Sequence, residues 1–448
     1  RMLRPASRPT FRSALLVIFF VLGYFYIYFS IFKPLYIRVL TSIPSRNSQD
    51  KDFSCIASSS TGRIVVSIKT GATEAADKIP ALMESSLRCA ENVFIFSDLE
   101  QDIGKYHLHD ALDTVAASVT DNNPDFEFYS EQRELWKNQQ DLTGLKRKKS
   151  AGDPEKLAAW SLDKYKFIHV LEKTWALKPD TDWYILIDAD TYIVWSNIVS
   201  WLETLDPLKK SYFGSEVNID GTRFAHGGSG IVLSKGIMQE LVRNGTAGRW
   251  DSNMQTQCCG DLVLSQALAE YGTSLQDAWP LISGESPSTM PFGPGTPEYW
   301  CFPALTFHHV SPADMREFSH FEKERQATKM PLTHAELFKN LTVKSLTPHR
   351  ENWDNLASEP GEFGNTGGVL IDAVSLDDCI RACEADEKCF QYSHHGSHCY
   401  IGMSVRLGYE KSADQEGIWR SGWNKTRLAD WASKQPACDE IAFPSQDT

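Results

Sequence analysis

The chain has 448 residues, with 45 Lys+Arg against 58 Asp+Glu and a formal net charge of -13. That acidic balance excludes nucleic acid as the natural partner, because polyanion binding draws on a basic surface. The 42% hydrophobic and 11% aromatic content excludes bulk disorder, and at about 100–200 residues per domain the length allows two or three domains.

Residues 13–32 read SALLVIFFVLGYFYIYFSIF, an uncharged run matching the roughly 20 residues a helix needs to cross a hydrocarbon core. Arg1, Arg4, Arg8 and Arg12 precede it without an acidic residue. The positive-inside tendency then makes 1–12 a cytoplasmic tail and 13–32 a transmembrane signal anchor. The run is too long for a cleaved signal peptide, and no small-x-small site follows it. All ten cysteines lie beyond it, as do the sequons at Asn244, Asn340 and Asn424, which suits an oxidising lumen. Residues 33–61, with Pro34, Pro44 and the SSSTG end, read as a stem.

IVVSIK (Ile64–Lys69) is a buried strand by its β-branched run, a helical pattern spans 73–87, and NVFIFSD (92–98) gives a second strand. Pro80 is expected in that helix's first turn. Strand, helix, strand opens a parallel sheet. Residues 104–155 are polar, with an exposed basic run at Lys146–Lys149. A helical pattern over Lys156–Leu177 then precedes WYILI (Trp183–Ile187), hydrophobic on both faces and so central in the sheet. A further α/β region runs to about Phe321, and a domain boundary is expected near 345.

The central strand ends in Asp188-Ala189-Asp190. Open α/β sheets bind ligands beyond the carboxyl ends of their strands, and residues two apart in an extended chain face the same way. Such a pair suits one hard divalent cation and its nucleotide, although an isolated Asp-x-Asp is more often a turn former. Three features add to it. Phe224-Ala225-His226-Gly227-Gly228-Ser229-Gly230 is a Gly-rich bend where backbone can approach a ligand closely. Asp261, after Cys259-Gly260, is either an N-cap or a carboxylate presented at the start of the helix over Leu262–Tyr271. His308 and His309 end a short strand, so at most one of them is expected to face a given site.

Taken in order, Trp183–Tyr192, the Gly-Gly-Ser-Gly bend with its following Leu-Ser-Lys, Gly260-Asp261-Leu262 and Thr306-Phe307-His308 resemble Fringe and the core-1 β1,3-galactosyltransferases, the inverting family 31 glycosyltransferases of the Golgi. Upstream, Thr70-Gly71 and Phe96-Ser97-Asp98 look like that family's uridine-contacting segments, so the likeness covers about residues 62–320, closest to its fungal branch. The resemblance implies an α/β, GT-A type nucleotide-sugar transferase fold, a mixed and mostly parallel sheet flanked by helices, over 62–344. It implies Asp190 and His308 as ligands of Mn²⁺ or another divalent cation, Asp188 toward the ribose and the metal's water shell, and Asp261 as catalytic base. Thr70, Asp98, Gly227 and Gly228 fall in its donor-binding segments, and Lys164 is a weaker candidate for a diphosphate contact. Gly260 and Ala189 stand where many relatives carry acidic residues. The implied protein is a single-pass type II Golgi membrane enzyme transferring a hexose, galactose or an N-acetylhexosamine, from a UDP-sugar to a glycan or glycoprotein acceptor in a β1,3 linkage. Two other readings stand beside it: a catalytically inactive carbohydrate-binding membrane protein, in which the C-terminal module binds and against which the retained Asp188, Asp190, Asp261 and His308 argue, and a metal-dependent hydrolase using the same carboxylates.

In the Cys-dense region 345–448, Cys379 and Cys383 lie one helical turn apart, and the segments at Cys389 and Cys399 read as two short strands. The pattern resembles the PAN/apple module, a small disulfide-rich α+β unit, which implies Cys379 with Cys399 and Cys383 with Cys389. Zinc is the competing idea, with His394, His395 and His398 near the four cysteines; a lumenal setting favours disulfides.

Overall fold

The computed structural model describes residues 60–295, 299–325, 330–359, 368–372 and 375–444. The apolar run 13–32, the tail before it, Cys55 and nearly all of the 33–61 segment lie outside the described residues, and no helix among those described is long and apolar enough to cross a membrane.

Strand β1 (Ile64–Lys69), helix α1 (Ala75–Glu84), β2 (Asn92–Ser97), β3 (Gln101–Ile103), β4 (Tyr106–Asp110), helix α2 (Lys166–Leu177), β5 (Trp183–Asp188) and β6 (Tyr192–Ile193) come first. They are followed by β7 (Tyr212–Gly214), β8 (Glu216–Ile219), β9 (Thr222–Ala225), β10 (Ile231–Ser234), helix α3 (Gly260–Ala269), β11 (Gln276–Asp277) and β12 (Thr306–Phe307). Eight of these strands form one sheet in the order β11-β7-β10-β5-β1-β2-β4-β3. The β1–β2, β1–β5, β2–β4 and β7–β11 pairs are parallel, and β10 runs antiparallel to both its neighbours. The period of two explains how one strand feeds two cores. Ile64, Val66 and Ile68 of β1, with Trp183, Ile185 and Ile187 of β5, pack on one face with α1. Val65, Tyr184 and Leu186 pack on the other with α2 and α3.

Three sequence expectations shift. Helix α1 runs from Ala75 to Glu84 with Pro80 in its interior rather than in its first turn. The polar stretch 104–155 contains β4 and a helix over Asp125–Lys137, which is held by Phe126, Phe128, Tyr129 and a buried Gln132 despite its charged outer face. The pattern from Lys156 divides into a short helix over Ala158–Asp163 and α2, with the break at Lys164 and Tyr165.

The C-terminal region builds β13 (His349–Glu351), β14 (Trp353–Asp354), β15 (Val369–Asp372), helix α4 (Leu376–Ala385), β16 (Gln391–His395), β17 (His398–Gly402), β18 (Tyr409–Glu410) and β19 (Arg420–Trp423). Its five-stranded antiparallel sheet has the order β13-β19-β16-β17-β15. Disulfides Cys379–Cys399 and Cys383–Cys389 tie α4 to this sheet, which leaves those four sulfurs unavailable to zinc. The region shares its interior with the rest of the chain: Phe292, Trp300, Ala335 and Phe338 pack with Phe390, Val405, Trp423 and Leu428, and Cys301 is bonded to Cys438.

Phe338 is the hinge of that shared core, its ring within 5.2–5.5 Å of those of Phe292, Trp300 and Trp431. Phe338→Ala is expected to cost about 3–5 kcal/mol. In urea denaturation followed by far-UV circular dichroism the whole transition should move as one; a loss confined to a minor early phase would contradict a common core.

Candidate functional site

The parallel register places Lys69 of β1 directly beside Asp188 of β5. The Lys69 Nζ lies 2.6 Å from Asp188 Oδ1 and 2.6 Å from Asp163 Oδ2. Lys166, on the inner face of α2, pairs with Asp98 and stands 3.3 Å from Asp163 Oδ1. It also donates to the Thr70 carbonyl at 2.8 Å. The result is a buried row of alternating charge, Asp98, Lys166, Asp163, Lys69, Asp188, under the carboxyl ends of β1, β2 and β5. Burial opposes the charge on both lysines, but the carboxylates outweigh it and hold them above the ordinary range. Burial likewise raises Asp163, whose two lysine partners bring it below the usual value. Asp188 stays raised, because burial is reinforced by Asp163 and Asp190 against Lys69.

Asp98 therefore sits below the crevice floor. It is 0% exposed, and its Oδ2 accepts from the Ala72 N–H at 3.4 Å and from Gln132 Nε2 at 3.3 Å, which shapes the Thr70–Ala72 turn. The Thr70 hydroxyl at that turn is buried and has no hydrogen-bond partner among the described residues.

Strand β5 ends at Asp188, so the two-residue alternation does not carry through to Asp190. The chain turns there, with the Thr191 N–H on the Asp188 carbonyl at 3.0 Å. The two carboxylates diverge, Asp188 to Lys69 and Asp190 to Lys78 of α1, whose Nζ lies 3.1 Å from Asp190 Oδ2 and 2.8 Å from Glu74. They meet again at His308, whose Nε2 is 3.3 Å from Asp190 Oδ1 and 4.0 Å from Asp188 Oδ2. Burial would raise Asp190, but the His308 hydrogen bond and Lys78 hold its carboxyl well below the usual range. The expectation that only one of the two histidines faces a given site fails. Strand β12 stops at Phe307, and His309 takes a positive φ of 55°. The His308 and His309 ring centroids are 3.8 Å apart, and both imidazoles join Asp190 in one donor cluster.

The bend between β9 and β10 is a single turn over Gly227–Ser229. A Cβ on Gly228 would collide with the His308 imidazole, and one on Gly227 would lie 2.6 Å from Phe167. The Thr191 hydroxyl donates to the Gly228 carbonyl at 2.7 Å, and the Thr306 hydroxyl to the Ser229 carbonyl at 2.7 Å. His226, hydrogen-bonded to Ser229, is pulled down to about 4 by burial and by His308, His309 and Lys69, so it is neutral in ordinary buffers. On the turn's other side, Asp261 Oδ2 accepts from the Gly227 N–H at 2.9 Å and Oδ1 from the Leu262 N–H at 2.9 Å. Asp261 lies inside the first turn of α3, whose N-cap position is Cys259, so it is not the cap. Burial raises its pKa despite those two N–H donors.

The structure does not bring Lys164 to this crevice. It pairs with Asp125 at 3.0 Å and lines a separate polar groove of about 430 Å³ with Asn123, Trp160 and Cys258. A Cβ on Gly260 would collide with the Lys164 carbonyl, so the backbone there packs closely on the end of the Ala158–Asp163 helix. Cys258 and Cys259, next to Gly260, are bonded to each other. Among the sequons, Asn244 is exposed, Asn340 donates to the Glu336 carbonyl, and Asn424 caps the helix over Lys425–Ser433. Sequence reasoning missed Lys69, Lys78, Asp163 and Lys166. The signal was available in two places: a lysine closing an otherwise apolar strand, and one on the apolar side of α2.

As a cation site, the donor set of one carboxylate and two imidazoles, with the glycine cradle that admits His308, fits a divalent transition ion. A family model described as Fringe-like matches residues 59–271, which span Thr70, Asp98, Asp188, Asp190, the glycine turn and Asp261 and stop short of His308. The match supports a glycosyltransferase of the family 31 type.

Lys69→Met removes the shared cation of Asp163 and Asp188 and is expected to cost about 3–5 kcal/mol at neutral pH. Asp188 is raised even with Lys69 in place and rises further without it, while Asp163 keeps only Lys166; a carboxyl raised above its unfolded value recovers stability as pH falls through its folded pKa. The deficit should therefore shrink between pH 7 and pH 4 in chemical denaturation; a deficit that grows on acidification would contradict the charge row.

Proposed function

We propose that the protein is an inverting, metal-dependent glycosyltransferase that moves a hexose, galactose or an N-acetylhexosamine, from a UDP-sugar to a glycan or glycoprotein acceptor in a β1,3 linkage. The observation that carries this reading is the glycine turn, which touches Asp261 through the Gly227 N–H and His308 through Gly228. A general base and a cation site thus face each other across three residues.

In this reading Asp261 takes the proton of the acceptor hydroxyl as that oxygen attacks the anomeric carbon from the side opposite the diphosphate. Its burial-raised pKa makes it a stronger base than an exposed carboxylate. The Gly227 and Leu262 N–H groups hold the carboxylate in place. Asp190 and His308 would hold the ion, which when bound offsets negative charge on the UDP leaving group. Asp188, pinned by Lys69, faces the same crevice, and the Thr70–Ala72 turn beside it is the segment this reading assigns to the nucleoside half of the donor. The apolar run 13–32 and the paired cysteines beyond it support a type II Golgi membrane protein with this domain in the lumen. In the same reading the C-terminal region is an apple-like module.

The test is incubation of the protein with a panel of UDP-sugars and simple glycoside acceptors, with Mn²⁺ or EDTA. One donor should give a β-linked product, and EDTA should abolish it. Asp261→Asn should lower kcat/KM by about 10²–10⁴; it keeps an acceptor for the Gly227 N–H and loses the one for Leu262, so a thermal melt checks that the fold survives. Because the base must be deprotonated, activity should fall on acidification with an apparent pKa above the ordinary 3.8 of a carboxyl group. Donor hydrolysis without transfer, or full activity in Asp261→Asn, would overturn the assignment.

A further inference from the structure

We infer that the cation site has three protein donors rather than two, with His309 as the third, and that it holds a divalent ion before any nucleotide is bound. This rests on the metal-dependent reading of the crevice.

Each of Asp190, His308 and His309 offers one ligand atom, and the three atoms lie within 4.8 Å of one another. Donors about 2.0–2.2 Å from one ion are at most about 4.4 Å apart, so closing the set needs only sub-ångström adjustment, which the exposed His309 and the half-buried Asp190 can make around the buried His308. His309 is exposed, and its ring makes no hydrogen bond to protein among the described residues. Its position has a backbone cost. A non-glycine residue at φ 55° gives up free energy that an extended residue would keep. That turn directs the imidazole back beside His308 instead of to the far side of the chain. The turn is also fixed from outside, since the Val310 N–H bonds the Asp190 carbonyl at 3.0 Å and ties the end of this segment to the ligand-bearing loop.

The chemistry of the set follows. A lone carboxylate and a single imidazole make a weak site that depends on phosphate oxygens to complete it. A second imidazole adds a strong nitrogen donor and moves preference from Mg²⁺ toward Mn²⁺, Co²⁺ or Zn²⁺. Lys78, 3.1 Å from Asp190, neutralises that carboxylate until an ion arrives, and Glu74 at 2.8 Å gives its ammonium group a second anchor once displaced.

The experiment is Mn²⁺ titration of the full chain in detergent without nucleotide, read as loss of the free-ion electron paramagnetic resonance signal. The visible spectrum of the Co²⁺-loaded protein reports nitrogen ligation. The variant is His309→Asn, because asparagine tolerates positive φ well and is a poor transition-metal ligand; a thermal melt checks that the fold survives. Wild type should bind one Mn²⁺ without UDP, and His309→Asn should bind at least tenfold more weakly, with a shifted Co²⁺ spectrum. If wild type takes up Mn²⁺ only when UDP is present, or if the variant binds equally well, the inference fails while the metal-dependent reading stands. If no Mn²⁺ binds with or without UDP, both fail.

Discussion

The site depends on one constraint: Lys69, Lys166 and Asp98 are taken out of water together, and the partly open Asp163 and Asp188 complete their charge balance. Removing an ion from water costs several kcal/mol even after relaxation, so none of the three buried groups is tolerable without its neighbours. Lys69 is 3% and Lys166 1% exposed, and each answers two carboxylates, which fixes the side chains to one arrangement. Three carboxylates against two ammonium groups leave one negative charge in surplus. That surplus falls at Asp188, the end of the row that opens on the crevice. A protein built this way favours a cation there before Asp190 adds its own charge.

The glycine turn converts that fixed floor into a working distance. Asp261 comes from α3 and His308 from the segment after β12, elements with no contact in sequence. Both are gauged against Gly227 and Gly228, since side chains there would occupy the space of Phe167 and of the His308 ring. The Thr191 and Thr306 hydroxyls clamp the turn's carbonyls from two directions. The turn is thus rigid through backbone hydrogen bonds and cannot widen to accept bulk, which makes glycine a positional requirement here.

Much of this was legible in the chain. The β-branched strands and the buried WYILI strand leading into Asp188 follow from local pattern, while the two stapled Cys pairs come only from the likeness to the apple module. What escaped was decided by neighbours distant in sequence. Asp98 looks like a ligand-facing residue at a strand end, yet the depth of β2 buries it under the Thr70 turn. Lys164 and Lys166 differ by two positions, and only the break between the Ala158–Asp163 helix and α2 decides which one turns inward. His309 was misjudged because alternation was assumed to continue past Phe307, where a positive φ ends it. The polar face of the 104–155 stretch hid β4, which buries only Leu108 and Asp110, and the Asp125–Lys137 helix, whose burial is carried by three aromatic residues and Gln132 and not by a full apolar period.

The C-terminal region belongs to this frame. The segment that carries His308 begins near Leu281, and the His308 N–H bonds the Glu285 carbonyl at 3.2 Å. A few residues on, Ser288 accepts from the Gly408 N–H at 2.7 Å, Phe292 donates to the Val405 carbonyl at 3.0 Å, and the Gly293 carbonyl receives the Val405 N–H at 2.9 Å. Cys301–Cys438 and the aromatic packing around Phe338 close the same segment from its other end. The loop presenting the histidine is therefore held between the eight-stranded sheet on one side and the C-terminal sheet on the other. A region that reads in sequence as an appendage supports the site through backbone hydrogen bonds, and its packing sets how precisely His308 can meet Asp190.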